Sequence, residues 1–280
     1  MKNLRIYLNT SMVLLFILIT ASSCIEDDAV VVNDQTQDMV EMSRSSEMDE
    51  IDMVLGDLVV NSFQQQESST TDRSVYDNQL PDCVTITAVL AQNNVSVTLD
   101  FGDLGCLVNG NLIRGQIQMT YERNPEMMQV LISYNLVDFY FNAKNVIATR
   151  TILRERFNEN NNPQFTHTLD MTVIWPNGAQ ASRTGEKVRE WIEGFGSGTF
   201  EDNVFLITGF WNTTFVNGNS HDYEVIIPLR REVVCAHFVS GSFSVAHTNF
   251  GGVFDFGDGT CDNQATFTFN NGEVVQITLN

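Results

Sequence analysis

Hydrophobic and polar positions alternate over most of this chain. From Cys83 onward, segments such as VTITAVL, VSVTLDF, MQVLISY and YEVIIPL either place apolar residues at every second position or run through β-branched residues. A period of two is typical of strands with one buried face. Asn-Gly pairs recur between these segments, and both residues tolerate the positive φ that tight hairpin turns require. The pattern predicts an all-β domain over 81–280, with antiparallel sheets joined by hairpins in a sandwich or an open barrel.

One segment before this domain has the period of a helix. Met48 to Phe63 carries apolar residues at helical spacing, although Gly56 interrupts it at a cost of about 1 kcal/mol relative to alanine. We predict one short helix near 48–63 that docks on the β domain. Its surroundings over 24–80 are acidic, and 15 acidic residues stand against two basic ones between Cys24 and Asp82. This charge predicts a solvated, self-repelling tether around the helix.

The overall charge excludes one large class of partners. The chain has 35 acidic and 15 basic residues, a formal net charge of −20 and a pI of about 4.3. Such a polyanion repels phosphate backbones, so we expect no nucleic-acid partner. The hydrophobic content of 43% is enough for a core and excludes wholesale disorder. No cofactor is expected, because the glycine-rich GFGSG segment at Gly194 to Gly198 has no βαβ unit around it.

A short sequence occurs twice and indicates an internal duplication. Asp100 to Cys106 is DFGDLGC, and Asp255 to Cys261 is DFGDGTC, so five of the seven positions agree. Each copy is preceded by another cysteine at a similar distance and followed by an alternating strand. We therefore predict duplicated units near 83–121 and 235–280.

The cysteines of these units fall in two pairs at matching spacing. In an exported chain the simplest interpretation is two disulfides, Cys83–Cys106 and Cys235–Cys261. Each would contribute about 3 kcal/mol by closing a loop.

The second copy also carries a candidate calcium loop. Asp255, Asp258 and Asp262 supply the oxygen ligands that Ca²⁺ prefers, although their spacing is not that of an EF-hand. The alternative is a strand end with a tight turn, in which each aspartate accepts backbone N–H bonds.

The N-terminus has the layout of a secretory signal peptide over 1–23. A basic start is followed by an apolar run of eight residues at Met12 to Ile19, shorter than the ~20 that span a bilayer. Small residues followed directly by Cys24 resemble a bacterial lipobox, which implies lipidation of that cysteine. The acidic cluster Glu26 to Asp28 resembles the surface-export signal of Bacteroidota lipoproteins, which implies a surface-exposed protein anchored in the outer membrane by lipid. The alternative is an ordinary signal peptide followed by a chance cysteine.

Basic residues cluster in the middle of the β domain. Nine of its 11 lysines and arginines lie between Lys144 and Arg231. On a strand, alternate positions share a face. The candidate ligand-binding residues are Trp175, Arg183, Lys187, Arg189 and Trp191. They could form a groove for anionic sugars or peptides, because arginine matches carboxylate and sulfate geometry. The alternative is cross-strand ion pairing with Glu155, Asp170 and Glu186.

Several blocks resemble a family of flavobacterial cell-surface lipoproteins. They are PDCVTIT at Pro81, DFGDLGC at Asp100, KVREWIEGFGSGTF at Lys187, PLRREVVC at Pro228 and FDFGDGTCDNQATF at Phe254. The resemblance implies an outer-membrane-anchored β domain and brings no catalytic residue or cofactor with it. We expect a binding or structural module for a glycan or a protein partner. A glycan hydrolase with paired carboxylates and an outer-membrane assembly accessory are the alternatives.

Overall fold

The computed structural model describes residues 34–68, 80–124, 128–199, 201–247 and 250–279. The predicted signal peptide and Cys24 lie outside these ranges. The chain divides into two compact units, 1–39 and 40–280. The described part of the first unit is the beginning of a helix. The second unit contains the rest of this helix and every described strand.

The helix, α1, runs over Asp34–Ser68 and is 35 residues long. It therefore extends beyond both ends of the predicted range of 48–63. The prediction was too short because it counted only apolar positions. Within the second unit, Glu41, Ser45, Asp49 and Asp52 also recur at helical spacing, and three of these four are buried. Tertiary contacts of Glu41 with His221 and of Ser45 with Arg183 stabilise the part of the helix before residue 48, which apolar spacing missed.

The described strands follow one another as a meander of hairpins. Fourteen strands form one sheet, in which consecutive strands are antiparallel neighbours except that β3 pairs only with β4. Their bounds are β1 (Thr85–Ala91), β2 (Asn94–Asp100), β3 (Cys106–Val108), β4 (Asn111–Glu122), β5 (Gln129–Phe141), β6 (Lys144–Glu155), β7 (Gln164–Ile174), β8 (Gln180–Glu193), β9 (Val204–Phe215), β10 (Ser220–Glu232), β11 (Ser240–His247), β12 (Phe250–Asp258), β13 (Gln264–Phe269) and β14 (Val274–Thr278). The all-β prediction with a preceding helix is confirmed.

The sheet is continuous and open. Its first and last strands, β1 and β14, each have one neighbour in the described structure and do not pair with each other. A split into two sheets, as in a sandwich, is not observed.

The sheet curves around α1. The helix contacts β4 through Tyr121, β6 through Arg150 and β10 through Arg231. Strands lie about 4.8 Å apart, so β4 to β10 would span about 29 Å if flat, whereas a helix with its side chains is about 10–12 Å wide. One face of the sheet therefore wraps the helix, and the core lies between them.

Both predicted disulfides are confirmed as pairs at bonding distance. The Cα atoms of Cys83 and Cys106 lie 5.7 Å apart, and those of Cys235 and Cys261 lie 5.6 Å apart. The first bond ties the start of β1 to β3. The second ties the β10–β11 connection to the segment after β12.

The two DFGD turns have the same local geometry. A carboxylate oxygen of Asp100 accepts the backbone N–H of Gly102 at 2.8 Å, and Asp255 accepts that of Gly257 at 2.7 Å. Asp258 accepts the backbone N–H of Thr260 at 3.3 Å, and Asp262 accepts that of Gln264 at 2.9 Å. These are the turn contacts given as the alternative to a calcium loop. Among the described residues, no group of three or more His, Cys, Asp or Glu is placed to hold a metal ion.

Candidate functional site

The basic residues of the middle strands form one buried surface against α1. We call this surface the basic face; its members are Arg150, Arg183, Lys187, Arg189 and Arg231. All five are at most 6% exposed. The open groove expected for Arg183, Lys187 and Arg189 is therefore corrected to a surface that the chain's own helix covers.

Three carboxylates on α1 form ion pairs with the basic face. Asp49 lies 2.6 Å from Arg183 and 3.0 Å from Lys187. Asp52 lies 2.9 Å from Lys187 and pairs with a strand β6 arginine, Arg150, at 2.6 Å.

The third carboxylate lies one turn further along the helix. Asp57 accepts from Arg189 at 2.5 Å and lies 3.6 Å from Arg231. The ionic partners are thus on the helix, not on neighbouring strands as the alternative of cross-strand pairing supposed. The helical spacing of the acidic residues is the signal that could have identified them.

Burial and charge together set the ionisation of this interface. Burial by itself raises the pKa of Asp52, but Lys187 and Arg150 lower it, and the net effect is a pKa far below the usual range. Burial lowers the pKa of His167 well below its usual value, and Arg189 and Arg150 lower it further. Near neutral pH, Asp52 is therefore a carboxylate and His167 is neutral.

Gly56 faces Arg189 of β8 and His167 of β7. A Cβ atom at this position would lie 2.6 Å from Nη1 of Arg189 and 3.4 Å from Cε1 of His167. The absence of a side chain allows the guanidinium to lie against the helix backbone, one residue before its partner Asp57.

The two candidate tryptophans are also buried. The indole N–H of Trp175 donates to Glu47 at 2.9 Å, and the guanidinium of Arg44 lies over its ring at 5.4 Å. Trp191 is 1% exposed and packs beside Phe205. Neither offers an exposed ring face to a ligand, so their expected place in a ligand-binding groove is corrected to core packing and helix docking.

A cavity of about 420 Å³ opens on another side of α1. One wall is a helical stripe that includes Glu50, Asp57 and Asn61. The second wall includes Pro81 and Asn111, which lie near the Cys83–Cys106 disulfide in the sequence. The third wall includes Val233 and His237, on either side of Cys235. The volume lies in the range of ~300–1,000 Å³ that small-molecule sites occupy.

Polar groups converge on this cavity. The side chain of Asn61 is 8% exposed and makes no hydrogen bond with any residue that the structure describes. The side-chain oxygen of Asn111 accepts from Asn142, which leaves its NH₂ group for a ligand. Burial lowers the pKa of His237, which Glu50 partly offsets, and Arg231 lowers it further. The cavity therefore presents amides and a neutral imidazole at neutral pH.

The charged groups of the cavity are mostly acidic. Glu50 and Glu201 line it and form no ion pair within the described part of the chain. Arg231 is occupied by Asp57 and by the backbone carbonyls of Glu232 and Cys235. Among the described residues that line the cavity, His237 has the only aromatic ring, so the cavity offers hydrogen-bonding groups rather than stacking surfaces.

Comparison with protein-family models, with curated proteins and with solved structures finds no match to this chain. Among the described residues, no helix combines the length and the apolar character needed to cross a membrane.

Proposed function

We propose that this protein is a lipid-anchored cell-surface binding module and that the cavity beside α1 is its ligand site. The observation that supports this most strongly is the side-chain amide of Asn61, which lines the cavity and makes no hydrogen bond within the described part of the chain. An amide both donates and accepts hydrogen bonds, so this side chain can bind a polar ligand in the cavity. The proposed anchor rests on Cys24 and the signal-like residues before it.

The chemistry of the cavity favours a neutral, hydroxyl-rich ligand such as the end of a glycan chain. Hydroxyl groups both donate and accept, which suits the amides of Asn61 and Asn111 and the imidazole of His237. The carboxylates of Glu50 and Glu201 repel anions, and α1 covers the described basic face. An anionic ligand, the first expectation for the basic cluster, therefore has no open cationic surface in the described structure.

A screen of immobilised glycans tests this function. The protein should begin at Ile25, so that it is soluble and retains α1. We expect retention on neutral polysaccharides and none on sulfated or uronic-acid polymers of similar length. Retention only on the anionic polymers would contradict the proposal.

A glycan hydrolase is the second candidate, because two carboxylates that form no ion pair in the described part of the chain line one cavity. Glu50 approaches it from α1 and Glu201 from the β8–β9 connection. A general acid needs an apolar environment that keeps it protonated, whereas Glu201 is exposed. This difference favours binding over catalysis. Release of sugar in the same screen, lost in both Glu50→Gln and Glu201→Gln, would establish the hydrolase instead.

A further inference from the structure

The basic face carries more charge than α1 neutralises. Its five cations share the three carboxylates of Asp49, Asp52 and Asp57. All five cations are buried. A buried charge without full compensation is strongly destabilising, so such an excess calls for another anionic group nearby.

Four buried polar groups in this region lack hydrogen bonds. Nη1 of Arg150, Nε of Arg189, Nε2 of His167 and the hydroxyl of Tyr134 have no partner in the described part of the protein. Each of these side chains is at most 4% exposed. Buried polar groups are paired in the great majority of cases, so four orphans in one place indicate a missing shared partner.

These groups lie close together beneath the middle of α1. Tyr134 and Arg150 are directly paired neighbours on β5 and β6, with the guanidinium carbon 5.7 Å from the ring centre. The position of a Cβ on Gly56 lies 2.6 Å from Nη1 of Arg189 and 3.4 Å from Cε1 of His167, so these two atoms are at most about 6 Å apart. Asp52 connects the two pairs, since it binds Arg150 and its charge acts on His167 and Tyr134.

The unpaired groups can act as donors at neutral pH. Burial raises the pKa of Tyr134 to about 12, so its hydroxyl keeps its proton. Both guanidiniums are donors only, and neutral His167 has one N–H to give. A set of convergent donors with excess positive charge matches an acceptor that carries a negative charge.

We propose that a small monovalent inorganic anion, such as chloride, binds beneath α1 between Tyr134, Arg150, His167 and Arg189. The anion compensates the excess charge of the basic face and accepts the hydrogen bonds that the protein itself leaves unmade. It shares no residue with the cavity, so its test is independent of the proposed glycan site.

Thermal unfolding of the chain from Ile25 tests this site at constant sodium concentration. Chloride replaces gluconate in steps from about 5 mM to 500 mM at pH 7.5. We expect the Tm to rise by about 4 °C with chloride or bromide, because an anion that binds only the folded state stabilises it. Tyr134→Phe keeps the ring and removes one donor, so the rise should shrink by at least half. Tyr140→Phe, on the same strand and outside the cluster, should behave as the wild type.

Crystals soaked in bromide locate the ion. The expected result is an anomalous peak within hydrogen-bond distance of Nη1 of Arg150. A Tm that is the same in chloride and gluconate would overturn the proposal. So would a chloride effect that Tyr134→Phe leaves intact, or the absence of a bromide peak among these side chains.

Discussion

At the centre of α1, Gly56 allows the guanidinium of Arg189 to lie against the helix. From the sequence this glycine is only a weakness in the helix, since alanine is favoured by about 1 kcal/mol at an exposed position. The structure reverses the expected effect of alanine at this position, from stabilising to destabilising. Any side chain here displaces Arg189, which is buried and held by Asp57.

We expect Gly56→Ala to lower the free energy of unfolding by about 1–3 kcal/mol, because the added methyl overpacks a buried ionic contact. Urea unfolding measures this. Ser46→Ala, at an exposed position of the same helix, is the matched control and should be neutral or slightly stabilising. A stabilised Gly56→Ala variant would show that Arg189 moves aside freely.

His167 makes stability depend on pH. Its pKa is well below the usual value in the folded chain, mainly through burial, so below about pH 6.5 the unfolded chain binds a proton that the folded chain does not. The contribution of neutral His167 to the free energy of unfolding is therefore complete above this pH and is lost as the pH falls below it. His237, whose pKa burial also lowers, contributes in the same direction.

We expect the free energy of unfolding to fall between pH 6.5 and 5, by up to about 1.4 kcal/mol per pH unit for each such histidine. His167→Gln should reduce this slope, as measured by urea unfolding at several pH values. Asn135→Gln, at an exposed position and without a titratable group, is the control, and it should leave the slope unchanged. An identical slope in His167→Gln and wild type would show that His167 is not responsible.

At the scale of elements, the strands could be predicted and the role of the helix could not. The period of two identifies a strand wherever one face is buried, and this holds for most of the sheet. The same alternation places Arg183, Lys187 and Arg189 on one face, but it cannot show whether that face meets solvent or another element. The residues that cover this face, Asp49 and Asp57, lie more than 130 positions away in the sequence.

The cavity could not be predicted either, because its walls are distant in sequence. Asn61 and Asn111 approach it from α1 and β4, and His237 follows Cys235. The repeated cysteines did predict the two disulfides, which lie beside the cavity walls that include Asn111 and His237. Nothing in the spacing of the cysteines indicates that the two disulfide-bonded segments face the same helix.

The β domain should depend on α1 for its fold. Its core includes Leu55, Leu58 and Phe63, and its basic face needs the carboxylates of the helix. Without α1, five cations remain buried or become exposed beside an apolar surface. A chain over 81–280, the boundary that composition suggests, is therefore expected to lack a cooperative unfolding transition by calorimetry. The chain from Ile25 is the control, and a cooperative transition in both would contradict this dependence.

At the scale of the molecule, the protein combines a proposed membrane anchor with a proposed ligand cavity, whose walls come from α1 and from segments distant in sequence. The helix covers the basic face of the sheet, and the cavity opens beside the helix. The net charge of −20 suits a surface that repels polyanions and leaves neutral ligands unaffected. The disulfides close the loops that carry two of the cavity walls.

The most direct test of this account is the retention of three forms of the protein on the neutral glycan that the screen identifies as the best. They are the wild type, Asn61→Leu in the cavity, and Asn135→Leu on the exposed outer face of β5. Leucine keeps the branched shape of the asparagine side chain and removes its hydrogen bonds. The account predicts at least a tenfold loss of affinity for Asn61→Leu, about 1.4 kcal/mol, and none for Asn135→Leu. Unchanged retention of Asn61→Leu, with or without loss in Asn135→Leu, would contradict the assignment of the cavity as the ligand site.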